Sequence, residues 1–274
     1  MQAKATLEDT LTIMRDLRSR CEWDASQTHD SLRPYLVEEA HELDDALREA
    51  NVAQMREELG DVLLQVLFHS VVAEQRGDFD IGDVAASLIA KMHARHPHLY
   101  GDGERIGWEA FKATKRRSIE DGLPLGLPSL HRAHRLQDRA AGVGFDWNDV
   151  DGPAEKVAEE LREVREQIAA APVRRSPHGA PQFDAAHAAV EEELGDLLFA
   201  VVNLCRKAGV HASLALDKAN AKFARRFAGI ERLAQMRGID VRTAGLAVLD
   251  TLWDEIKRHE SDALTPARGE TDAG

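Results

Sequence analysis

The stretch Val190-Glu191-Glu192-Glu193-Leu194-Gly195-Asp196-Leu197-Leu198-Phe199-Ala200-Val201-Val202 constrains the fold most, because it sets acidic side chains against an apolar stripe and the pattern occurs twice. The earlier copy is Arg56-Glu57-Glu58-Leu59-Gly60-Asp61-Val62-Leu63-Leu64-Gln65-Val66. In a helix each residue advances by about 100°, so Glu193 and Asp196 lie about 60° apart, beside a stripe of Val190, Leu194, Leu197 and Val201. Glu58 and Asp61 bear the same relation to Met55, Leu59, Val62 and Val66. Both stripes are expected to face a core, with the carboxylates at its edge.

Each copy follows another acidic helix, Glu38-Glu39-Ala40-His41-Glu42 in the first half and Glu159-Glu160-Leu161-Arg162-Glu163 in the second. Glu39 and Glu42 flank Leu36, Ala40, Leu43 and Leu47, while Glu160 and Glu163 flank Val157, Leu161 and Val164. Packing two such helices antiparallel gathers four carboxylates: Glu39, Glu42, Glu58 and Asp61, or Glu160, Glu163, Glu193 and Asp196. Their repulsion in a partly desolvated groove is costly, and a hard divalent cation with oxygen ligands relieves it, Mg²⁺ first and Mn²⁺ as a substitute. A single Glu-x-x-Glu is usually a solvated face. Four pairs in matched order point to metal.

Aromatics make up 5% of the 274 residues and Ala, Leu, Glu and Arg dominate, which predicts an all-α fold; 43% hydrophobic residues suffice for two modest cores. A formal charge of −13 argues against a nucleic-acid-coating surface. Cys21 and Cys205 are too few for a disulfide scaffold, so a cytoplasmic location is expected. The segment Met1-Gln2-Ala3-Lys4-Ala5-Thr6-Leu7-Glu8-Asp9 lacks the apolar core of a signal peptide, and no apolar run approaches a membrane span.

Along the chain, helices are predicted over 7–17, then from a cap at Asp30 or Ser31 with Pro34 in the first turn, from Asn51 to near Gly77, and from Ile81 to the proline at 97. Trp108, Phe111 and Ile119 mark a short amphipathic helix with a basic run over 112–117. The glycines and prolines of 121–128 divide the chain into 1–122 and 123–262, with 263–274 as a disordered tail. Further helices are expected over 130–141, 154–168, 183–207, 214–236 and 243–258. A proline-rich insertion over 170–181, with the composition of a mobile loop, separates the two acidic helices of the second half.

Lys222 and Arg226 are i, i+4 and project together, offering ammonium and guanidinium groups to a polyphosphate; Lys91 and Arg95 repeat the spacing in the first half. Taken alone, such a pair is more often a solubilising face or a partner of nearby Glu. After a metal clamp, it implies a phosphorylated substrate carried as its magnesium complex. Cys205 reads as packing. His93, His96 and His98 are interrupted by Pro97, and Glu38-x-x-His41 lacks the second matching pair of a di-iron bundle, since its nearest analogue is Asp184-x-x-His187.

The order Glu-Glu-x-x-Glu, Glu-Leu-Gly-Asp and Lys-Phe-x-Arg-Arg-Phe, with Trp-Asp-x-x-Gln-Thr at 23–28, resembles the MazG family of nucleoside triphosphate pyrophosphohydrolases. The resemblance covers nearly the whole chain, including its tandem arrangement, although Glu22 stands where the family often has proline. It implies two tandem helical bundles, a homodimer whose subunits complete each other's sites, and Mg²⁺-dependent cleavage of NTPs and dNTPs to monophosphate and pyrophosphate with broad base use, as housecleaning of the nucleotide pool. By this likeness Glu160, Glu163, Glu193 and Asp196 match metal ligands. Lys156, Glu159, Glu192, Asp196, Lys222, Arg225, Arg226 and Trp253 fall at nucleotide positions, with Lys257 one turn beyond Trp253. In the first half Glu39, Glu42, Glu58 and Asp61 match the metal motif, and Glu38, Trp23, Lys91 and Arg95 belong to a candidate N-terminal site. The expected mechanism is attack of water at the α-phosphorus, with Glu159 or Glu192 as base and Lys222 and Arg226 offsetting phosphoryl charge. Trp253 is equally suited to core packing and base stacking. The rival readings are a narrow dUTP or dCTP pyrophosphatase on a related fold and a helical dimer that binds nucleotides without catalysis.

Overall fold

The computed structural model describes residues 4–101, 103, 116–170 and 185–264, and all regular structure among them is helical. The chain divides into two compact units, Met1–Trp108 and Glu109–Gly274. This division falls earlier than the one drawn near residue 122 from glycine and proline content. The reason lies in Arg139, which is buried and donates through Nη1 to the carbonyls of Ile119 (2.6 Å) and Asp121 (3.0 Å). Arg132 also pairs with Glu120 at 3.0 Å, so 119–121 is fastened to the second unit. The helix expected around Trp108 and Phe111, the insertion over 171–181 and the tail beyond Leu264 lie outside the described residues.

In the first unit, α1 (Leu7–Arg20) and the single turn α2 (Glu22–Ser26) lead into α3 (His29–Glu49) and α4 (Val52–Arg76), followed by α5 (Ile81–Arg95) and α6 (Pro97–Tyr100). Thr28 caps α3 in a reciprocal box with Ser31, so the helix starts ahead of the predicted caps and Pro34 falls in its second turn rather than its first. Ala50, left-handed at φ 53°, and Asn51 make a two-residue connection that returns α4 against α3. Asn51 accepts from the N–H groups of Ala53 and Gln54, and Gly77 ends α4 at φ 74°, a conformation that glycine adopts without strain. Leu11, Met14, Leu32, Leu67, Phe68, Val71 and Val72 form the core.

The second unit contains α7 (Ser129–Ala141), α8 (Asp151–Ala170), α9 (Ala185–Lys207), α10 (Ala212–Met236) and α11 (Leu246–Leu264), which reaches two residues into the predicted tail. The paired helices α8 and α9 repeat α3 and α4, α7 packs on α9 and α10, and α10 and α11 join through Ile230, Ala234 and Leu252. Among the described residues no single helix is long and apolar enough to cross a membrane.

The apolar stripes depart from expectation. Val190 and Val164 are buried, but Leu194, Val201, Leu161, Leu59, Val66, Leu36 and Leu47 are exposed. The cores draw instead on Leu67, Phe68, Val71 and Val72 of α4 and Val202 of α9, because each helix is wedged between neighbours on one flank and open on the other. Truncating a buried aromatic removes transfer energy and leaves a void, so Phe68→Ala is expected to cost the first unit about 3–5 kcal/mol. Amide exchange should accelerate in α4 while α9 keeps its protection; equal protection in α4 would contradict this core assignment.

Candidate metal and nucleotide site

Packing of α3 on α4 brings carboxylate oxygens of Glu39, Glu42 and Glu58 within 4.8 Å of one another, and packing of α8 on α9 does the same for Glu160, Glu163 and Glu193. The fourth carboxylate of each predicted set, Asp61 or Asp196, lies outside these groups but close enough to act on them electrostatically. Burial, then the charges of Asp61 and Glu42, raise the Glu39 carboxyl above its ordinary range. Burial, then Glu42 and Asp61, raise Glu58. Burial, then Glu163, Glu160 and Asp196, raise Glu193.

The clusters differ in their counter-charge. Glu160 is 4% exposed, and its carboxylate meets Lys156 Nζ at 2.5 Å, one helical turn earlier; Lys156 also reaches Glu159 at 3.2 Å. These hydrogen bonds hold the Lys156 ammonium well above its usual range. In the first unit Tyr35 stands one turn before Glu39, in the position that Lys156 holds before Glu160.

The second difference is space. Glu160, Lys156 and Asp196 border a cavity of about 510 Å³ that follows α9 past Ala200 to Asn203 and Arg206, between walls of Phe145, Trp147 and Phe199. Ala200 and Asn203 stand four and seven residues after Asp196, where α4 places Gln65 and Phe68 after Asp61. Phe68 is 3% exposed, with the Trp23 ring edge-on at 6.4 Å and the Arg18 guanidinium 5.7 Å from its centre. The first unit therefore fills with Phe68 the position that Asn203 leaves open.

Lys222 and Arg226 share a face of α10, but they are not equivalent. Lys222 is exposed and makes no hydrogen bond or ion pair among the described residues, whereas Arg226 donates to Glu260 at 2.7 Å and lies 5.5 Å over the Trp253 ring. Arg225 reaches the same Glu260 at 3.2 Å, and Phe223 stacks obliquely on Trp253 at 5.5 Å. Trp253 also packs on the Ile230 and Leu252 core, so it serves packing and presents a ring at once. Lys257 pairs with Asp254 at 3.6 Å. No hydrogen bond or ion pair among the described residues joins Lys222, Arg226 or Trp253 to the carboxylates of α8 and α9. Glu192 is exposed beside Glu193, and Glu159 is held by Lys156. In the first unit Glu38 and Lys91 are exposed, Arg95 is half-buried, and Trp23 packs edge-on against Tyr35 at 6.3 Å.

The family model of the MazG nucleotide pyrophosphohydrolase domain matches residues 27–100 and again 153–228. The chain belongs to the MazG family. It is 42% identical over 266 residues to the nucleoside triphosphate pyrophosphohydrolase/pyrophosphatase MazG of Thermotoga maritima, covering 93% of this chain and 97% of that protein. It is 38% identical over 271 residues to the nucleoside triphosphate pyrophosphohydrolase of Escherichia coli, covering 93% and 98%. The nucleoside triphosphate pyrophosphohydrolase of Mycobacterium tuberculosis aligns at 41% identity over 169 residues, 58% of this chain and 50% of that one. Both matched MazG segments contain a carboxylate cluster, and the second also contains Lys222 and Arg226.

The cavity residues Phe145, Trp147, Phe199, Asn203 and Arg206 were not among the sequence candidates. For Phe199, Asn203 and Arg206 the signal is the face of α9 that carries Asp196, which continues through Ala200 to a polar Asn203 in an otherwise apolar run; Phe145 and Trp147 lie in the loop after α7.

Mutual repulsion predicts that a divalent cation stabilises the fold. Mg²⁺ should raise the melting temperature, and Glu193→Gln should raise it in chelator while blunting the gain from Mg²⁺. Because the folded-state pKa is raised, Glu193 costs stability as pH climbs through that value. The advantage of Glu193→Gln should therefore be full at pH 8 and fade as the solution is acidified through the carboxylate range; a pH-independent advantage would contradict the repulsion.

Proposed function

We propose that this protein hydrolyses nucleoside triphosphates and their deoxy forms to monophosphate and pyrophosphate, and that the second unit carries the reaction. The observation that supports this most is that one helix pair, α8 and α9, carries a carboxylate cluster and borders a cavity of about 510 Å³ with aromatic walls. That volume falls within the range of small-molecule sites, roughly 300–1,000 Å³.

The donor set fits a hard divalent cation: three carboxylates within 4.8 Å, with Asp196 beside them and proton affinity raised at Glu193 by burial and then by their crowding. Glu160, Glu163, Glu193 and Asp196 would hold Mg²⁺, or Mn²⁺ in its place. When bound, such an ion supplies positive charge to triphosphate oxygens and acidifies water. Glu192 or Glu159 orients the attacking water and takes its proton. Attack at the α-phosphorus breaks its bond to the bridging oxygen, and pyrophosphate leaves with that electron pair. Lys222 and Arg226 balance charge on the departing phosphoryl groups, while Lys156, Arg225, Trp253 and Lys257 bind the nucleotide.

A second copy of the chain completes the site in this account. Leu194, Leu198, Phe199 and Val201 are exposed along α9, and Gly195 has no atom within 4 Å of the place a Cβ would take. A mid-helix glycine costs about 1 kcal/mol relative to alanine, which close approach of another helix would explain. Docking there would carry the detached Lys222, Arg226 and Trp253 group of one copy toward the carboxylates of the other. Broad base use and a role in cleaning the nucleotide pool follow from the family likeness, and the free thiols of Cys21 and Cys205 suit a reducing cytoplasm.

Each NTP and dNTP incubated with and without Mg²⁺ should give monophosphate and pyrophosphate in its presence. Diphosphate and phosphate would overturn the α-phosphorus assignment, and no product would favour a binding module. Asp196→Ala should lower kcat by about 100-fold or more, whereas Asp61→Ala should leave most turnover in place.

A further inference from the structure

The loop after α7 is fastened to α9 by one carboxylate. Asp146 accepts from Arg206 through Oδ1 at 2.5 Å and Oδ2 at 3.2 Å, and from Lys207 Nζ at 3.3 Å; Lys207 also donates to the Trp147 carbonyl at 2.6 Å. This clamp sets Phe145 and Trp147 as walls of the cavity. It also holds the Arg206 side chain, 11% exposed, so that its Nε donates to Asn203 Oδ1 at 3.0 Å.

That contact decides which end of the Asn203 amide is which. A guanidinium N–H can only donate, so the atom facing it is the oxygen and the other is nitrogen. Asn203 is 7% exposed and borders the cavity, and its Nδ2 has no hydrogen-bond partner among the described residues. Asn203 thus keeps two N–H donors for the border of a space walled by aromatic rings. An acceptor on a ligand entering that space would give the amide N–H groups a partner. Asp196 and Asn203 are two turns apart, about 10 Å along the axis, which is the reach of a nucleoside from its α-phosphoryl group to the outer edge of its base.

We infer that Asn203 reads an acceptor on the nucleobase edge, and that Asp146 and Arg206 are positioning residues that lock its amide with the donors facing the base. The inference rests on the proposed pyrophosphohydrolase reading of the same site and adds to it a preference. A base that turns a keto oxygen toward Asn203 is matched, whereas one with an exocyclic amine there sets donor against donor. One neutral hydrogen bond is worth roughly tenfold. Uracil should therefore be favoured over cytosine, and hypoxanthine over adenine, by about that factor in kcat/KM.

The test compares UTP with CTP and ITP with ATP in the wild-type protein, Asn203→Asp and Arg206→Leu, with UMP and CMP binding measured by calorimetry. Asn203→Asp keeps a partner for Arg206 but presents an acceptor, so both keto-to-amino ratios should fall by about tenfold or more, chiefly through KM. Arg206→Leu frees the amide to turn, and the ratios should move toward one. Circular dichroism and melting curves establish that each variant is folded. Equal losses for every base, or unchanged ratios in Asn203→Asp, overturn the assignment. If the wild-type protein releases no pyrophosphate, the functional reading fails by itself, and the ratio of UMP to CMP affinity decides the role of Asn203 separately.

Discussion

The structure depends on carboxylates forced together across a helix pair. Glu160, Glu163 and Glu193, like Glu39, Glu42 and Glu58, are brought within 4.8 Å by the packing of two long helices, and no single helix accomplishes this. Apolar contacts elsewhere supply the energy that holds them there. In the first unit, Leu32, Phe68, Val71 and Val72 anchor the pair, and caps at Thr28 and Asn51 set where each helix begins. Burial, and after it the crowding, raises proton affinity at Glu39, Glu58 and Glu193, which is also what makes the sites receptive to a hard cation.

Duplication has given the two units the same acidic frame and different surroundings. Lys156 neutralises Glu160 in the second unit where the first has Tyr35, and Ala200 and Asn203 open a cavity where Gln65 and Phe68 close one. Both differences leave the carboxylates themselves in place: Lys156 pairs with Glu160, and the cavity opens beside the cluster.

Helix class and the gathering of carboxylates are legible in the sequence because both follow from local periodicity, and Asn51 and Gly77 mark the ends of α4 by their own conformational preferences. Three features are not legible. The exposed flank of α9, with Leu194 and Leu198, looks like core in a linear pattern, since periodicity reports an apolar face but not what covers it. The division between units escapes composition because Arg139 reaches back to carbonyls eighteen and twenty residues earlier. Asn203 reads as an ordinary polar interruption until Arg206 and Asp146 are seen to orient it.

The central claim is that water attacks the α-phosphorus beside the second cluster. Single-turnover hydrolysis of a nucleoside triphosphate in ¹⁸O-labelled water, followed by mass spectrometry of both products, tests it most directly. The account predicts one labelled oxygen in the monophosphate and none in the pyrophosphate. Label in the pyrophosphate would place attack at the β-phosphorus and contradict it.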